Sequence, residues 1–347
     1  FYKALCYFEI VRDWGDCPYV ATSYKVEPLA RKPWNEILDI AISDMKQATT
    51  LLDVWNNLTD ASGNKVTTKQ IPGKEAAYAM LAHMYAWEGS LLNNNDTLQK
   101  AIDVATWVIE KGGFTLAADP EVVYTDLLWM DVYIDEELYY QSYPIEPNSE
   151  PGDIAWKDMK IKAESVLKMY KEGDKRRDAY FYKPAEMIDV EETEGWALMQ
   201  RRRDIVEDKT WSSPSMWFQN FAGNVIRTRL ADILLLRAEC YAKLGKDDLA
   251  KSDLDRVRDR AGAARYTAAE GPIYRAVFEE REKELLLERH RWYDMVRTGY
   301  WKTDMTEEYA KLTDQDVEDG ALYLPVHYSA FNSNKLMRQT RYWLKRQ

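Results

Sequence analysis

One supersecondary unit, a pair of antiparallel helices, is written into this sequence at least twice, and it limits the fold more than any other feature. Residues 74–89 are dense in alanine (Ala76, Ala77, Ala79, Ala82, Ala86), with Tyr78, Leu81 and Tyr85 between. Small side chains let neighbouring helices approach closely. A partner follows at once: Leu98, Ala101, Ile102, Ala105, Val108 and Ile109 recur at steps of three and four and stop at Gly112 and Gly113, residues suited to a left-handed helix cap. The arrangement returns with Leu230, Ile233, Leu234, Ala238 and Tyr241 before Gly245, then Ala250, Leu254, Val257 and Ala261 before Gly262, with Asp247 placed to cap the second helix. Both hairpins fit the large, small and aromatic positions of a tetratricopeptide repeat.

A third hairpin, cut at its start, pairs Ala4 and Tyr7 with a stripe running from Pro33 at the first helical position through Ile37, Leu38, Ala41, Ile42, Met45, Ala48 and Leu52. One long amphipathic helix is expected over residues 273–298. Stacked hairpins bury what a lone hairpin leaves exposed. The expected fold is therefore mostly α, with tetratricopeptide-like hairpins forming a right-handed superhelical scaffold beside a loop-rich second lobe. At 347 residues the chain exceeds what one core usually organises. The expected segments are 1–113, N-terminal hairpins; 114–226, a lobe of loops and short strands; and 227–347, a hairpin, the long helix and a closing tail. The lobe loses helical periodicity except near residues 155–171 and gains Pro144, Pro147, Pro151, Pro184 and Pro214.

Several chemistries lack support. No G-x-G-x-x-G, G-x-x-x-x-G-K-[ST], H-E-x-x-H or G-x-S-x-G run is present, so no cofactor and no metal is expected. Asp plus Glu total 58 against 47 Lys plus Arg, a formal charge of −11 that repels nucleic acid. Cys6, Cys17 and Cys240 are odd in number and lack metal-ligand spacing. His83, within the alanine-rich helix, reads as a packing residue. Glu280, Arg281, Glu284 and Glu288 lie three and four apart, so that pairs buried against a neighbouring hairpin would fix the register between helices. Asp174, Lys175, Arg176 and Arg177 read as a salt-bridged corner rather than a catalytic cluster.

The aromatic residues carry the functional signal. There are 23 Tyr and 13 Trp against 8 Phe, an excess of rings with a polar handle that suits surfaces and clefts. Flat rings stack on the C–H face of a sugar while polar neighbours reach its hydroxyl rim, and such a site needs neither metal nor nucleophile. In the middle lobe, Trp129, Tyr133, Tyr143, Trp156, Trp196, Trp211 and Trp217 are the candidate ligand-binding residues. A glycosidase would instead need two carboxyls roughly 5 to 10 Å apart in an open cleft.

The motifs also occur in a recognisable order. Trp14-Gly15-Asp16 with Pro18, Gly73-Lys74-Glu75-Ala76-Ala77, Asp174 with Arg176, Arg229 to Glu239, Val257 to Gly262, Glu280-Arg281 with Glu284-Leu285, Arg291-Trp292-Tyr293-Asp294 through Gly299, then Leu324-Pro325-Val326, Asn334 and Gln339 together resemble the SusD/RagB family of outer-membrane nutrient-binding lipoproteins. Asn334-Lys335 stands where the family has N-P. The resemblance implies a noncatalytic, surface-exposed outer-membrane protein that captures oligosaccharide or polysaccharide and delivers it to a SusC-like TonB-dependent transporter. It also implies a membrane attachment only through an N-terminal lipid anchor outside this chain, whose opening at Phe1 in mid-element reads as truncated. The alternatives are a peptide-binding member of the same family and a tetratricopeptide-type interaction adaptor.

Overall fold

The computed structural model describes residues 1–22, 27–120, 127–131, 161–188, 195–199, 205–208, 215–218 and 225–346. Its main elements are α1 (Tyr2–Trp14), α2 (Trp34–Leu51), α3 (Lys74–Leu91), α4 (Asn95–Lys111), β1 (Leu127–Asp131), α5 (Ala163–Met169), α6 (Arg176–Tyr180), β2 (Phe181–Tyr182), β3 (Leu198–Met199), β4 (Ile205–Asp208), β5 (Ser215–Phe218), β6 (Val225–Arg229), α7 (Leu230–Lys243), α8 (Asp247–Ala261), α9 (Ile273–Glu284) and α10 (Arg291–Thr298). Short helical turns follow to the C-terminus. The fold is mostly helical, as the hairpin pattern predicts.

The chain groups into two compact units. One joins Phe1–Val66 and Pro72–Gly112 to Arg289–Gln347; the other holds Thr67–Ile71 and Gly113–Glu288. Residues 227–347, one segment along the sequence, are thus shared between them.

In the first unit α1 packs on α2, α2 on α3 and α3 on α4. Helix α3 is covered on nearly every face, from Ala76 and Ala77 to Trp87, as expected of a helix between two neighbours. Its alanines make room, and Gly89 takes the closest approach: a Cβ there would lie 2.9 Å from the Leu98 backbone nitrogen. Asn94 caps α4 by accepting from the Thr97 N–H, which satisfies one orphan donor of the first turn. Helix starts differ from the reading by one residue. Pro33 is the cap of α2 rather than its first helical residue, and Asp247 opens α8 after a Lys246 cap.

In the second unit α7 and α8 form the later hairpin, and α9 packs on both. Gly262 ends α8 in the left-handed conformation, φ 70°. The middle segment contributes three two-stranded antiparallel ribbons, β1 with β6, β2 with β3 and β4 with β5, together with α5 and α6. A separate core of Ala163, Val166, Tyr170, Tyr180, Phe181, Met187 and Ala197 joins α5, α6 and the β2–β3 ribbon.

The single helix expected over 273–298 is two. Helix α9 stops at Glu284, and Leu287 and Arg289 take positive φ values of 64° and 63°, conformations costly for L-residues with side chains. Long-range donors satisfy the carbonyls that the break exposes. Tyr170 Oη donates to the Lys283 carbonyl at 2.9 Å, Tyr180 Oη to that of Glu284 at 3.3 Å, and Arg229 Nη2 to the same oxygen at 2.7 Å. Periodicity alone carries none of this, because the donors lie far away in sequence. Part of the tyrosine excess is therefore core: Tyr170 and Tyr180 are fully buried, with their hydroxyls on the main chain.

Candidate functional site

The predicted platform is described in part. Tyr133, Tyr143, Trp156 and Trp211 lie outside the described residues. Trp129 and Trp217 are placed by backbone only. Trp129 lies in β1 opposite Thr228, and Trp217 lies in β5 opposite Val206. Two of the ribbons thus carry a tryptophan each.

Trp196 is described in full. It is half-buried and forms an isolated antiparallel bridge with Lys162. The Lys162 ammonium sits 4.0 Å from the centre of the indole ring, a cation–π contact within the favourable range. The neighbouring backbone is held by Ala163 N–H on the Gly195 carbonyl, 2.9 Å, and Ala197 N–H on that of Ile161, 2.8 Å. A partly open indole with a cation on one face and a buried core behind it is suited to stacking and to polar contact at the ring edge.

The same unit contains a buried charge network that the sequence suggested only locally. Arg176 is wholly buried and pairs with Asp174 at 2.8 Å, Glu280 at 2.6 Å and Glu284 at 3.1 Å. The salt-bridged corner expected at Asp174 and Arg176 is real, and it extends to α9. Glu284 also takes Arg229 at 2.7 Å and pairs with Arg260. Arg229 reaches Glu288 at 2.9 Å, and Arg258 reaches Glu280 at 2.8 Å. Arg281 pairs with Asp232 at 3.0 Å. The charges spaced three and four apart on α9 are therefore interhelical ties. Burial pushes the Glu284 carboxyl up, but Arg260, Arg229 and Arg176 outweigh it and hold the group far below the usual range. Glu280 is depressed in the same way, with burial opposing Arg176 and Arg258. Glu280 and Glu284 are thus held ionised by guanidinium groups, so neither is poised as a general acid near neutral pH.

Two of the three histidines, His83 and His290, are packing residues. His83 and His290 are buried and stacked, with ring centres 5.6 Å apart, whereas His327 is exposed.

A family model described as the SusD family matches residues 129–343, the stretch that contains the network and every candidate ring. The chain belongs to the SusD family. A second model, described as starch-binding associating with outer membrane, matches residues 1–86. SusD-like protein P2 of Formosa agariphila is 25% identical over 341 residues, covering 86% of this chain and 63% of that protein. SusD-like protein P38 of the same organism is 22% identical over 356 residues, with 86% and 65% covered. The chain thus spans less than two thirds of the length of these curated relatives. Among solved structures, a SusD homolog from Bacteroides thetaiotaomicron shares the fold with a TM-score of 0.73 at 21% identity, covering 98% of this chain and 74% of that one. Surface glycan-binding protein A from Bacteroides uniformis does so with a TM-score of 0.69 at 20% identity, covering 98% and 76%.

Proposed function

We propose that this SusD-family chain is the ligand-capturing part of a noncatalytic outer-membrane protein, which binds oligosaccharide or polysaccharide and passes it to a SusC-like TonB-dependent transporter. The observation that carries the reading is the family match over residues 129–343, because that stretch holds all seven candidate rings. Trp196, half-buried beside Lys162, gives the proposed surface one described member. A glycosidase needs one carboxyl free to donate a proton in an open cleft, and Glu280 and Glu284, buried and paired with arginine, do not meet that need.

Capture in this scheme is stacking of sugar faces on indole and phenol rings, with a few rings supplying most of the affinity. Attachment to the membrane through a lipid anchor outside this chain, and exposure at the cell surface, belong to the same proposal. A glycan array read with the longer natural form tests it. Retention of a defined glycan class supports the reading; retention of peptides alone replaces it with the peptide-binding alternative.

A further inference from the structure

The last residues of the chain form a surface unlike the rest. Between Gly320 and Arg346 stand Lys335, Arg338, Arg341, Lys345 and Arg346 and no acid, in a chain of formal charge −11. All five basic residues are exposed. Leu324, Tyr328, Leu336 and Leu344 are exposed too, four of the ten large apolar side chains most open to solvent among the described residues.

Side chains hold this surface in place. Gln339 donates to the Val326 carbonyl at 3.0 Å and accepts from the Val326 N–H at 3.0 Å, which closes a loop over residues 327–338. Arg31 donates to the Arg338 carbonyl at 3.1 Å while also holding the carbonyls of Asp16 and Trp14. Asn334 Nδ2 donates to the Leu29 carbonyl at 2.7 Å, and the Trp343 indole N–H donates to that of Tyr323 at 2.7 Å. Two acids beside this surface, Asp319 and Asp316, pair with Lys345 and Arg346. Lys335 forms no ion pair among the described residues, and the Arg338 guanidinium donates only to the Lys335 and Met337 carbonyls.

A protein interface gathers its apolar side chains in the middle and its charges at the rim. Here the two kinds alternate along the chain, as Lys335, Leu336 and Arg338 and again as Arg341, Leu344 and Lys345. That alternation suits a partner that is itself layered, with phosphates to receive cations and an acyl boundary to receive leucine and tyrosine. We propose that this face docks on an anionic lipid surface, with Lys335, Arg338 and Arg341 on headgroup phosphates and Tyr328, Leu336 and Leu344 entering the interface. The inference rests on the outer-membrane reading above, which brings such a surface within reach.

The test is co-sedimentation of the 347-residue chain with phosphatidylglycerol-containing vesicles and with pure phosphatidylcholine vesicles. The expected result is partition into the anionic vesicles only, weakened by added salt. At about fivefold per basic residue near an anionic surface, K335Q/R338Q lowers that partition on the order of twentyfold. Y328S/L336S lowers it as well, while circular dichroism of both variants matches the parent. The proposal is overturned if the chain stays in the supernatant, sediments equally with neutral vesicles, or partitions unchanged in either variant; loss in K335Q/R338Q alone fits an acidic protein partner instead. Glycan retention by the same samples separates the two readings. Retention without lipid docking removes the docking alone, and docking without retention removes the glycan reading alone.

Discussion

Arg176 and Glu284 are 108 residues apart in the chain and 3.1 Å apart in space, and neither side chain reaches solvent. Glu284 is the point where three guanidinium groups converge, from Arg176, Arg229 and Arg260. Removing its charge leaves those cations short of a partner in a buried site, the situation in which a broken ion pair costs about 3–5 kcal/mol. Glu284→Gln is therefore expected to lower unfolding stability by that amount in urea titration. A change below about 1 kcal/mol, the range of exposed pairs, would mean that the network is solvated.

The same network sets an acid limit. The folded-state values of Glu284 and Glu280 lie below the ordinary 4.5, so the stability they contribute is fully present above about pH 4.5 and is lost as pH falls toward the folded-state values. Urea midpoints are expected to be flat from neutral pH down to about 5 and to drop steeply below 4.5. Glu284→Gln flattens that drop. An equally steep drop in the variant would assign the acid sensitivity to other carboxylates.

Two glycines with the same backbone angle offer an internal control. Gly245 and Gly262 both have φ 70°, but a Cβ at Gly245 meets nothing within 4 Å whereas one at Gly262 lies 2.7 Å from the Gly173 carbonyl oxygen. Gly245→Ala bears only the left-handed strain, about 1–2 kcal/mol. Gly262→Ala adds a forced shift of the Gly173 turn, about 1–3 kcal/mol more, where the Lys175 N–H meets the Ala261 carbonyl at 2.8 Å. Equal losses in thermal unfolding would show that the turn yields freely.

How far the sequence reaches depends on the range of the interaction that decides each feature. The two hairpins were legible because helix periodicity and glycine stops are local, and α3 and α8 end within a few residues of the expected places. The break after Glu284 was not, because it rests on Tyr170, Tyr180 and Arg229 donating to carbonyls of α9 across 113, 104 and 55 residues. Arg176 shows both sides: its tie to Asp174 is two residues long and readable, and its tie to Glu284 is not. The ring platform was legible only as composition. Trp196 has a described environment, and nothing in the periodicity of residues 114–226 foretold that Lys162 would cover its ring.

The central claim is that the chain holds glycan on aromatic rings without cutting it. Its most direct test is a tryptophan-fluorescence titration of the 347-residue chain and its Trp196→Ala, Trp129→Ala and Trp217→Ala variants against a glycan panel, with reducing ends counted in the same samples. The account predicts saturable binding by the parent, weaker binding in at least one variant whose melting temperature stays within a few degrees of the parent, and no new reducing ends. Release of reducing ends, or unfolding of all three variants, would contradict it.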